Sequence, residues 1–518
     1  MFSKIKTAVF AGVQGQTVIV ETDITRGLPN ICIVGMASAM VMEARERIKS
    51  AIINSGYDYP RSRIVVNLTP ANIRKNGSYL DLPMAIGILT SSLYVSSAAE
   101  NYGIIGELSL NGNISRIDGV LPMVIDMYKS GISTIILPVE NYNEAKLIEG
   151  PKLIPVMSLT DCINIINNCK DSPSEKTIRF LKKIEQAIAK EAPMNNEALI
   201  KNEIDFKDIA GQENAKRAIQ VAVTGRHGIM MLGPPGCGKT MIARRIHTIM
   251  PEMSNQEILE TAIIYSVMGN DRNIRKITER PFRMPHCSIG RAGLLGGGRY
   301  PVPGEISLAH NGVLFLDEVT CFDRTLIDAL RTPIEEKKIE HFRGGEPHSF
   351  PCDFHLIMAA NPCCCGYAGD TEKLCKCSQS QLDQYRRKLN GPLIDRIDIR
   401  ISLNRVDYIE LQENSINGKT SAELREEVVK ARVFAKSMGR FKPNGALTDS
   451  ELKIHCKLGC EEEKLMSTAY KAYKMSARSL NKILKISRTI ADLDGKVDIE
   501  YEHIAEALSY RIGDINED

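Results

Sequence analysis

The chain has 518 residues, of which 43% are hydrophobic and 25% charged, with a formal net charge of +3. This length is too great for one hydrophobic core, so it predicts several domains. The near-neutral balance excludes a uniformly basic surface, so any nucleic-acid contact must be local. No apolar run is long enough to span a bilayer, and Gln14–Gln16 interrupt the apolar start before a signal sequence can form. We therefore expect a cytoplasmic protein with no membrane partner.

Residues 1–172 are predicted to form a mixed α/β domain. Runs rich in β-branched residues predict strands at Val18–Thr22, Ile64–Leu68 and Ile135–Pro138. Helical periodicity occurs at 37–55 and 119–130.

The remainder of the chain divides into three predicted segments. Residues 173–205 are rich in Lys and Glu and predict a helical linker. Across 206–404 strand and helix patterns alternate, which is typical of a parallel sheet with crossover helices. Residues 405–518 predict an all-helical domain. Its amphipathic segments are Ala422–Ser437, Glu461–Met475, Ser479–Leu493 and Tyr501–Arg511.

A glycine-rich loop follows the apolar strand Gly228–Leu232 and fits the pattern G-x-x-x-x-G-K-[ST] at every fixed position. Such loops turn their backbone N–H groups around phosphate oxygens, and the helix that follows adds its positive dipole end. We expect Lys239 to reach the β- and γ-phosphates of ATP and Thr240 to hold Mg²⁺. The predicted nucleotide-binding residues are Gly233, Pro234, Pro235, Gly236, Cys237, Gly238, Lys239 and Thr240.

Two further apolar strands end in polar residues. Val313–Leu316 precedes Asp317 and Glu318, which we expect to hold Mg²⁺ through water and to polarise the attacking water, respectively. Leu356–Ala360 precedes Asn361, whose amide could bind the γ-phosphate or the lytic water; a plain turn residue is the alternative.

Five of the 14 cysteines fall between positions 363 and 377. Cys363, Cys365, Cys375 and Cys377 form two C-x-C pairs that could close a tetrahedral Zn²⁺ site. The spacing departs from the usual C-x-x-C pairs, and Cys364 is a surplus thiol. Reduced, unliganded cysteines are the alternative.

The order of these motifs, continued by Gly391–Asp398 and Ser476–Ser479, resembles the YifB/ComM family of magnesium-chelatase-like AAA+ ATPases. The resemblance covers nearly the whole chain. It implies that Arg396 is an arginine finger for the next subunit's site and that Arg478 is a sensor-2 residue touching the γ-phosphate. An arginine supplied in trans implies a closed ring, expected to be a homo-hexamer.

The resemblance also implies two insertions that face a central channel. The first contains Arg283, Arg291, Arg299 and Gly296–Gly298. The second, 337–348, predicts a β-hairpin with a Gly-Gly turn. We expect Lys338, His341 and Arg343 of this hairpin to contact DNA, with Phe342 available to stack on a base. A charged hairpin that contacts only the next subunit is the alternative.

Within the N-terminal domain, residues 70–140 resemble the proteolytic domain of Lon. The positions of Lon's nucleophilic serine and catalytic lysine are occupied by Tyr79 and Leu121, and Ser78 is one residue out of register. Because a serine–lysine dyad requires both groups, we expect no peptidase activity.

The expected fold is therefore a Lon-protease-like α/β domain, an AAA+ phosphate-loop parallel-sheet domain and a C-terminal helical lid. By resemblance, the expected function is Mg-ATP-dependent movement of DNA, as branch migration or helicase activity supporting recombination in natural transformation. The alternatives are a magnesium-chelatase subunit, a protein-remodelling ATPase and an inactive nucleotide-binding scaffold.

Overall fold

The computed structural model describes residues 2–36, 38–72, 75, 77–169, 172–191, 204–269, 279–298, 301–343, 346–370, 372–389, 393, 396–406 and 418–512. These form two compact units. The first comprises Met1–Ile200, Asn255–Ile277 and His341–Phe350, and the second comprises Lys201–Ser254, Thr278–Glu340 and Pro351–Asp518. Two segments from the middle of the sequence therefore belong to the N-terminal unit.

The first unit is built on a seven-stranded mixed sheet of order β3-β4-β2-β1-β5-β8-β9. Its strands are β1 (Phe2–Ala11), β2 (Gln14–Thr25), β3 (Asn30–Val34), β4 (Arg63–Thr69), β5 (Gly103–Ile104), β8 (Thr134–Pro138) and β9 (Lys152–Val156), and β6 (Glu107–Leu108) pairs with β7 (Ile114–Ser115). Its helices are α1 (Ala39–Asn54), α2 (Asp81–Ser91), α3 (Val120–Lys129), α4 (Tyr142–Ala145), α5 (Leu159–Asn167) and α6 (Glu175–Glu191). Buried and less buried positions alternate along β4, as its β-branched pattern predicts. Within the segment predicted as a helical linker, α6 covers residues 175–191 and belongs to the first unit, and residues 192–203 lie outside the described residues.

Helix α9 (Asn255–Val267) belongs to the first unit although it follows the phosphate loop in sequence. It packs against α3 through Ser266, whose backbone oxygen accepts from Gly119 N at 2.9 Å. The Ser266 hydroxyl accepts from Leu121 N at 3.3 Å. The position that resembles Lon's catalytic lysine is thus covered by an insertion from the ATPase sequence.

The second unit contains a five-stranded, fully parallel sheet of order β11-β14-β17-β10-β18. Its strands are β10 (Ile229–Leu232), β11 (Phe282–Arg283), β14 (Val313–Leu316), β17 (His355–Ala360) and β18 (Ile399–Ser402). The helices around it are α7 (Glu213–Gly225), α8 (Lys239–Ile249), α10 (Arg291–Leu295), α11 (Glu305–Leu308), α12 (Arg324–Ala329), α13 (Arg331–Glu336) and α14 (Gln379–Leu389), and β12 (Gly296–Gly297) pairs with β13 (Val302–Pro303). Every residue of β14 and β17 is buried, as expected for central strands of a parallel sheet.

After residue 418 the described chain is helical. The helices are α15 (Ser421–Ser437), α16 (Asp449–His455), α17 (Cys460–Ala472), α18 (Ala477–Leu493) and α19 (Tyr501–Ile512). Four of them confirm the predicted segments; α16 was not predicted, because one short helix carries little periodicity. Thr420 and Thr448 begin α15 and α16 with reciprocal capping boxes to Glu423 and Glu451. Among the described residues, every helix is too short or too polar to cross the apolar interior of a bilayer.

Candidate ATP site and its companion sites

The phosphate loop connects β10 to α8 at the carboxyl edge of the parallel sheet. Gly236 and Gly238 have φ angles of 83° and 91°, in the left-handed region that strains any residue with a side chain. Lys239 is the first residue of α8 and is only 8% exposed. The two glycines thus allow the chain to turn sharply and to present the amino end of α8 to an anion.

The Lys239 ammonium is buried among neutral partners. Its Nζ donates to Gly233 O at 2.5 Å, to Pro234 O at 3.0 Å and to Asn361 Oδ1 at 3.0 Å. No carboxylate of the described residues pairs with it. A buried positive charge without a counter-ion is costly, so this site fits a polyanion such as a nucleotide triphosphate. Asn361 is also brought to the loop, as its predicted role requires.

Thr240 and Asp317 meet beside the same loop. The Thr240 hydroxyl donates to Asp317 Oδ2 at 2.8 Å. A hydroxyl and a carboxylate at this separation supply the hard oxygen ligands that Mg²⁺ prefers, so these residues fit the predicted metal role. Glu318 follows in an exposed turn with φ +49°, and its N–H donates to Asp317 Oδ1 at 3.0 Å.

Arg396 and Arg478 converge on Glu335. Arg396 lies 2.6 Å from Glu335 Oε1, and Arg478 lies 3.5 Å from the same oxygen. Hydrogen bonding from Arg396 lowers the pKa of Glu335 below its usual range. Glu335 thereby holds both arginines on one wall of a cavity of about 490 Å³.

This cavity lies at the amino edge of the parallel sheet. Its lining includes Gly228, Leu356 and Asp398, which lie at the starts of β10, β17 and β18. The phosphate loop, Asp317 and Asn361 follow the carboxyl ends of the same sheet. Because β10 alone spans about 13 Å, the arginines and the phosphate loop of one subunit lie at opposite edges. Arg478 and the phosphate loop of the same chain are therefore separated by the length of the sheet.

The four predicted thiols come together in the loop between β17 and α14. The Sγ atoms of Cys363, Cys365, Cys375 and Cys377 all lie within 4.8 Å of one another. Cys364 is exposed and lies outside this set. The cluster could hold a metal ion.

The predicted hairpin forms from β15 (Lys338–Arg343) and β16 (Glu346–Pro351), whereas Gly344 and Gly345 lie outside the described residues. Because side chains alternate along a strand, Lys338 and Phe342 share one face and His341 lies on the other. His341 packs against the Phe350 ring at 6.0 Å, and Phe342 is 69% exposed. The three predicted DNA-contacting residues therefore do not share one face.

In the other insertion, Arg283 forms a 2.6 Å ion pair with Glu305, so its charge is already matched. Arg291 is exposed at the start of α10, and Arg299 lies outside the described residues. Gly296 and Gly297 form β12 and Gly298 follows it, and all three residues have positive φ.

The Lon-like positions in the first unit are packed as core. Tyr79 is 6% exposed, and its ring lies 5.8 Å from that of Phe10. Burial raises the pKa of Tyr79. Leu121 is fully buried, and the Ser78 hydroxyl donates to the Glu107 carboxylate rather than to an amine.

Sequence reasoning missed two residues that support the site. Tyr385, on α14, donates to Asn361 O at 3.0 Å and shares a hydrogen bond with the Thr320 hydroxyl at 3.0 Å. Glu335 holds the arginine pair. Neither lies in a motif, and both partners of each contact are distant in sequence, so periodicity and spacing carried no signal.

Three family profiles match parts of the chain. Residues 205–411 match the family profile described as "Magnesium chelatase, subunit ChlI". Residues 418–511 match "Magnesium chelatase, subunit ChlI C-terminal", and residues 20–141 match "Subunit ChlI of Mg-chelatase".

Full-length relatives align over nearly the whole chain. Competence protein ComM of Haemophilus influenzae is 38% identical over 96% of this chain and 95% of its own. Uncharacterized protein YifB of Escherichia coli is 36% identical over 98% of this chain and 97% of its own. Lon protease 2 of Bacillus subtilis is 28% identical over 36% of this chain and 38% of its own.

The phosphate loop, the acid-ended strand and the helical lid, together with these profiles, define an AAA+ ATPase of the magnesium-chelatase-like branch. Within that branch the chain belongs to the YifB/ComM family.

Proposed function

We propose that this protein is an Mg-ATP-dependent ring motor, a homo-hexamer that moves DNA in the cytoplasm. The observation that carries the proposal is the separation of Arg396 and Arg478 from the phosphate loop of the same subunit. Lys239, Thr240 and Asp317 lie at one edge of the sheet, and the two arginines lie at the other. The arginines of an adjacent subunit therefore complete the site. Repetition of that contact around an axis closes a ring.

Within this proposal each residue has a separate task. Lys239 and the loop amides hold the phosphates, and Thr240 with Asp317 holds Mg²⁺, which neutralises phosphate charge. Glu318 and Asn361 orient the attacking water, and Glu318 accepts its proton. Arg396 and Arg478 leave Glu335 and stabilise the charge that develops in the neighbour's site.

The proposed polymer is DNA, and the proposed process is branch migration during recombination in natural transformation. The assignment to natural transformation follows the name of the Haemophilus influenzae relative, a competence protein. The hairpin supports DNA as the polymer because one face of β15 carries both an exposed ring, Phe342, and a cation, Lys338. The alternative is a chelatase-type motor, favoured by the match of the chain to three magnesium-chelatase family profiles.

The test measures ATP turnover with and without four-way DNA, together with migration of a labelled branch. We expect branched DNA to stimulate turnover and the branch to move only when ATP is hydrolysed. Glu318→Gln is the matched control, because it should bind ATP and DNA while leaving the branch in place. Stimulation by a porphyrin or protein partner alone would contradict the proposal.

A second prediction concerns the hairpin. Replacing Lys338 with alanine should weaken DNA binding and reduce the salt dependence of the binding constant by about one unit of logarithmic slope. Basal ATP turnover should survive. Lys430→Ala is the matched control, since Lys430 is also exposed and ion-paired, to Glu426 at 2.8 Å, whereas Lys338 pairs with Glu340 at 2.7 Å. Equal salt slopes for the parent and Lys338→Ala would exclude Lys338 as a DNA contact.

We also propose that the four-thiol cluster holds Zn²⁺. A tetrahedron with Zn–S bonds of about 2.3 Å has its sulfurs about 3.8 Å apart. Cys363 Sγ lies 3.3 Å from Cys365 Sγ and 3.7 Å from Cys375 Sγ, close to that spacing. The Ala368 N–H also donates to Cys363 Sγ at 3.3 Å, the kind of outer hydrogen bond that orients a metal ligand.

A further inference from the structure

The loop that carries the thiols joins two parts of the ATP site. It begins after Asn361, at the end of β17, and it ends at α14, which carries Tyr385. Between Cys363 and Cys377 its described residues form neither helix nor strand. The order of this segment therefore comes from local backbone turns, from its side chains and from whatever those side chains bind.

The first half of the loop packs directly on the phosphate loop. Gly366 has φ +86°, and a Cβ placed on it would lie 2.8 Å from the Pro235 ring. The Gly366 N–H donates to Cys363 O at 3.0 Å, so this close approach is set by the turn at the first C-x-C pair. A displacement of that turn would move Pro235, which lies in the predicted nucleotide-binding loop.

The far end of the loop returns to the catalytic strands. Tyr385 donates to the backbone oxygen of Asn361 and shares a hydrogen bond with Thr320, two residues beyond Glu318. One phenol thus connects the strand that ends at Asn361 with the turn that follows the predicted catalytic acid. The chain therefore leaves Asn361, passes through the loop into α14, and returns to Asn361 through the hydrogen bond of Tyr385.

An ionic contact fixes the middle of the loop. Arg405, just after β18, lies 3.1 Å from Asp370 and 2.6 Å from Glu372, and its guanidinium carbon lies 5.8 Å from the centre of the Tyr367 ring. With this contact and the two C-x-C pairs, the loop is fixed at its start, middle and end. A metal that joins the two pairs removes the conformational freedom of the free loop, as a cross-link does.

We propose that the metal bound by Cys363, Cys365, Cys375 and Cys377 is a positioning element of the ATP site, which holds Asn361 and Pro235 where hydrolysis requires them. The proposal rests on the proposed ATPase function and adds to it a dependence of turnover on a second metal, separate from Mg²⁺. The physical reason is geometric. A shift of about 1 Å in a water-orienting group can lower a rate by about a hundredfold.

The test compares the parent with Cys375→Ser/Cys377→Ser. Metal content is measured after chelator-free purification, and the thiolate ligand set is checked from the visible spectrum of the Co²⁺-substituted protein. We expect stoichiometric zinc and a tetrahedral Co²⁺ spectrum in the parent and neither in the double variant. The kcat for ATP should fall by roughly 10- to 100-fold, while circular dichroism shows unchanged helix content.

Two single variants separate positioning from general damage. Cys364→Ser is the matched control, and it should keep both zinc and turnover. Tyr385→Phe should keep zinc, ATP affinity and helix content but lower kcat, since only the hydrogen bonds at Asn361 and Thr320 are lost. A zinc-free double variant with the parent's kcat and KM would overturn the proposal, as would a zinc-free parent. A zinc-loaded parent without ATP turnover would instead overturn the proposed ATPase function.

Discussion

Replacement of Arg396 with alanine is expected to lower ATP turnover by roughly 10³- to 10⁵-fold, the range seen when an arginine finger is absent. ATP affinity should change little, because the phosphates of the variant's own site are still held by Lys239 and its loop. Arg396 lies at the amino edge of the sheet with Glu335, so its loss should affect the neighbour's transition state. Steady-state turnover and binding of a fluorescent ATP analogue measure the two effects separately.

Mixing experiments decide whether Arg396 acts between subunits. Arg396→Ala subunits keep a complete phosphate loop, and Glu318→Gln subunits keep their arginine. Rings assembled from both should regain turnover at each interface where an intact loop meets an intact arginine. Arg331→Ala is the matched control, since Arg331 also acts on Glu335 by charge but is not proposed to contact ATP. Parental turnover by Arg396→Ala, or by a strictly monomeric form, would refute the ring motor.

The second large effect is expected at Asp398, which holds the helical lid to the sheet. It accepts from His227 Nδ1 at 3.1 Å and lies 3.5 Å from Lys482 Nζ, and Lys482 is 7% exposed. Asp398→Ala would leave a buried ammonium without its carboxylate. We expect a loss of about 3–5 kcal/mol in the free energy of unfolding.

The pH dependence of this loss follows from Lys482. Burial lowers the pKa of Lys482 from 10.5 to about 8, so between these values the unfolded chain binds the proton more tightly and stability rises with pH. In Asp398→Ala the pKa of Lys482 in the folded protein falls further, because the attracting carboxylate is gone. The free energy of unfolding of the variant therefore begins to rise at a lower pH than that of the parent. The difference in the free energy of unfolding between parent and Asp398→Ala should therefore narrow as the pH rises towards 8.

Urea unfolding at several pH values measures this difference. Asp494→Ala is the matched control, because Asp494 forms a more exposed ion pair with Arg217 at 3.1 Å. It should cost at most about 1 kcal/mol. Equal losses in the free energy of unfolding for the two variants would show that Asp398 stabilises the contact between lid and sheet no more than an exposed ion pair does.

Local patterns identified most of the nucleotide site. Each of its residues lies within a few positions of the strand that places it. These residues are the glycines and Lys239 of the phosphate loop, the acids after β14 and Asn361 after β17. The carboxyl ends of parallel strands meet at one edge of a sheet. An apolar strand followed by a polar residue was therefore sufficient to predict that these polar residues lie close to the phosphate loop. The four thiols were found in the same way, because their spacing is local.

The sequence by itself therefore determined the fold class, the carboxyl-edge site and the thiol set, since backbone geometry fixes all three over short distances. Only the tertiary structure placed Arg396 and Arg478 together on Glu335 at the opposite edge, and only it brought Tyr385 to Asn361. It likewise assigned α9 to the N-terminal unit, where Ser266 covers Leu121. These contacts join residues far apart in the chain, and they depend on how helices pack around a sheet, which no local pattern encodes.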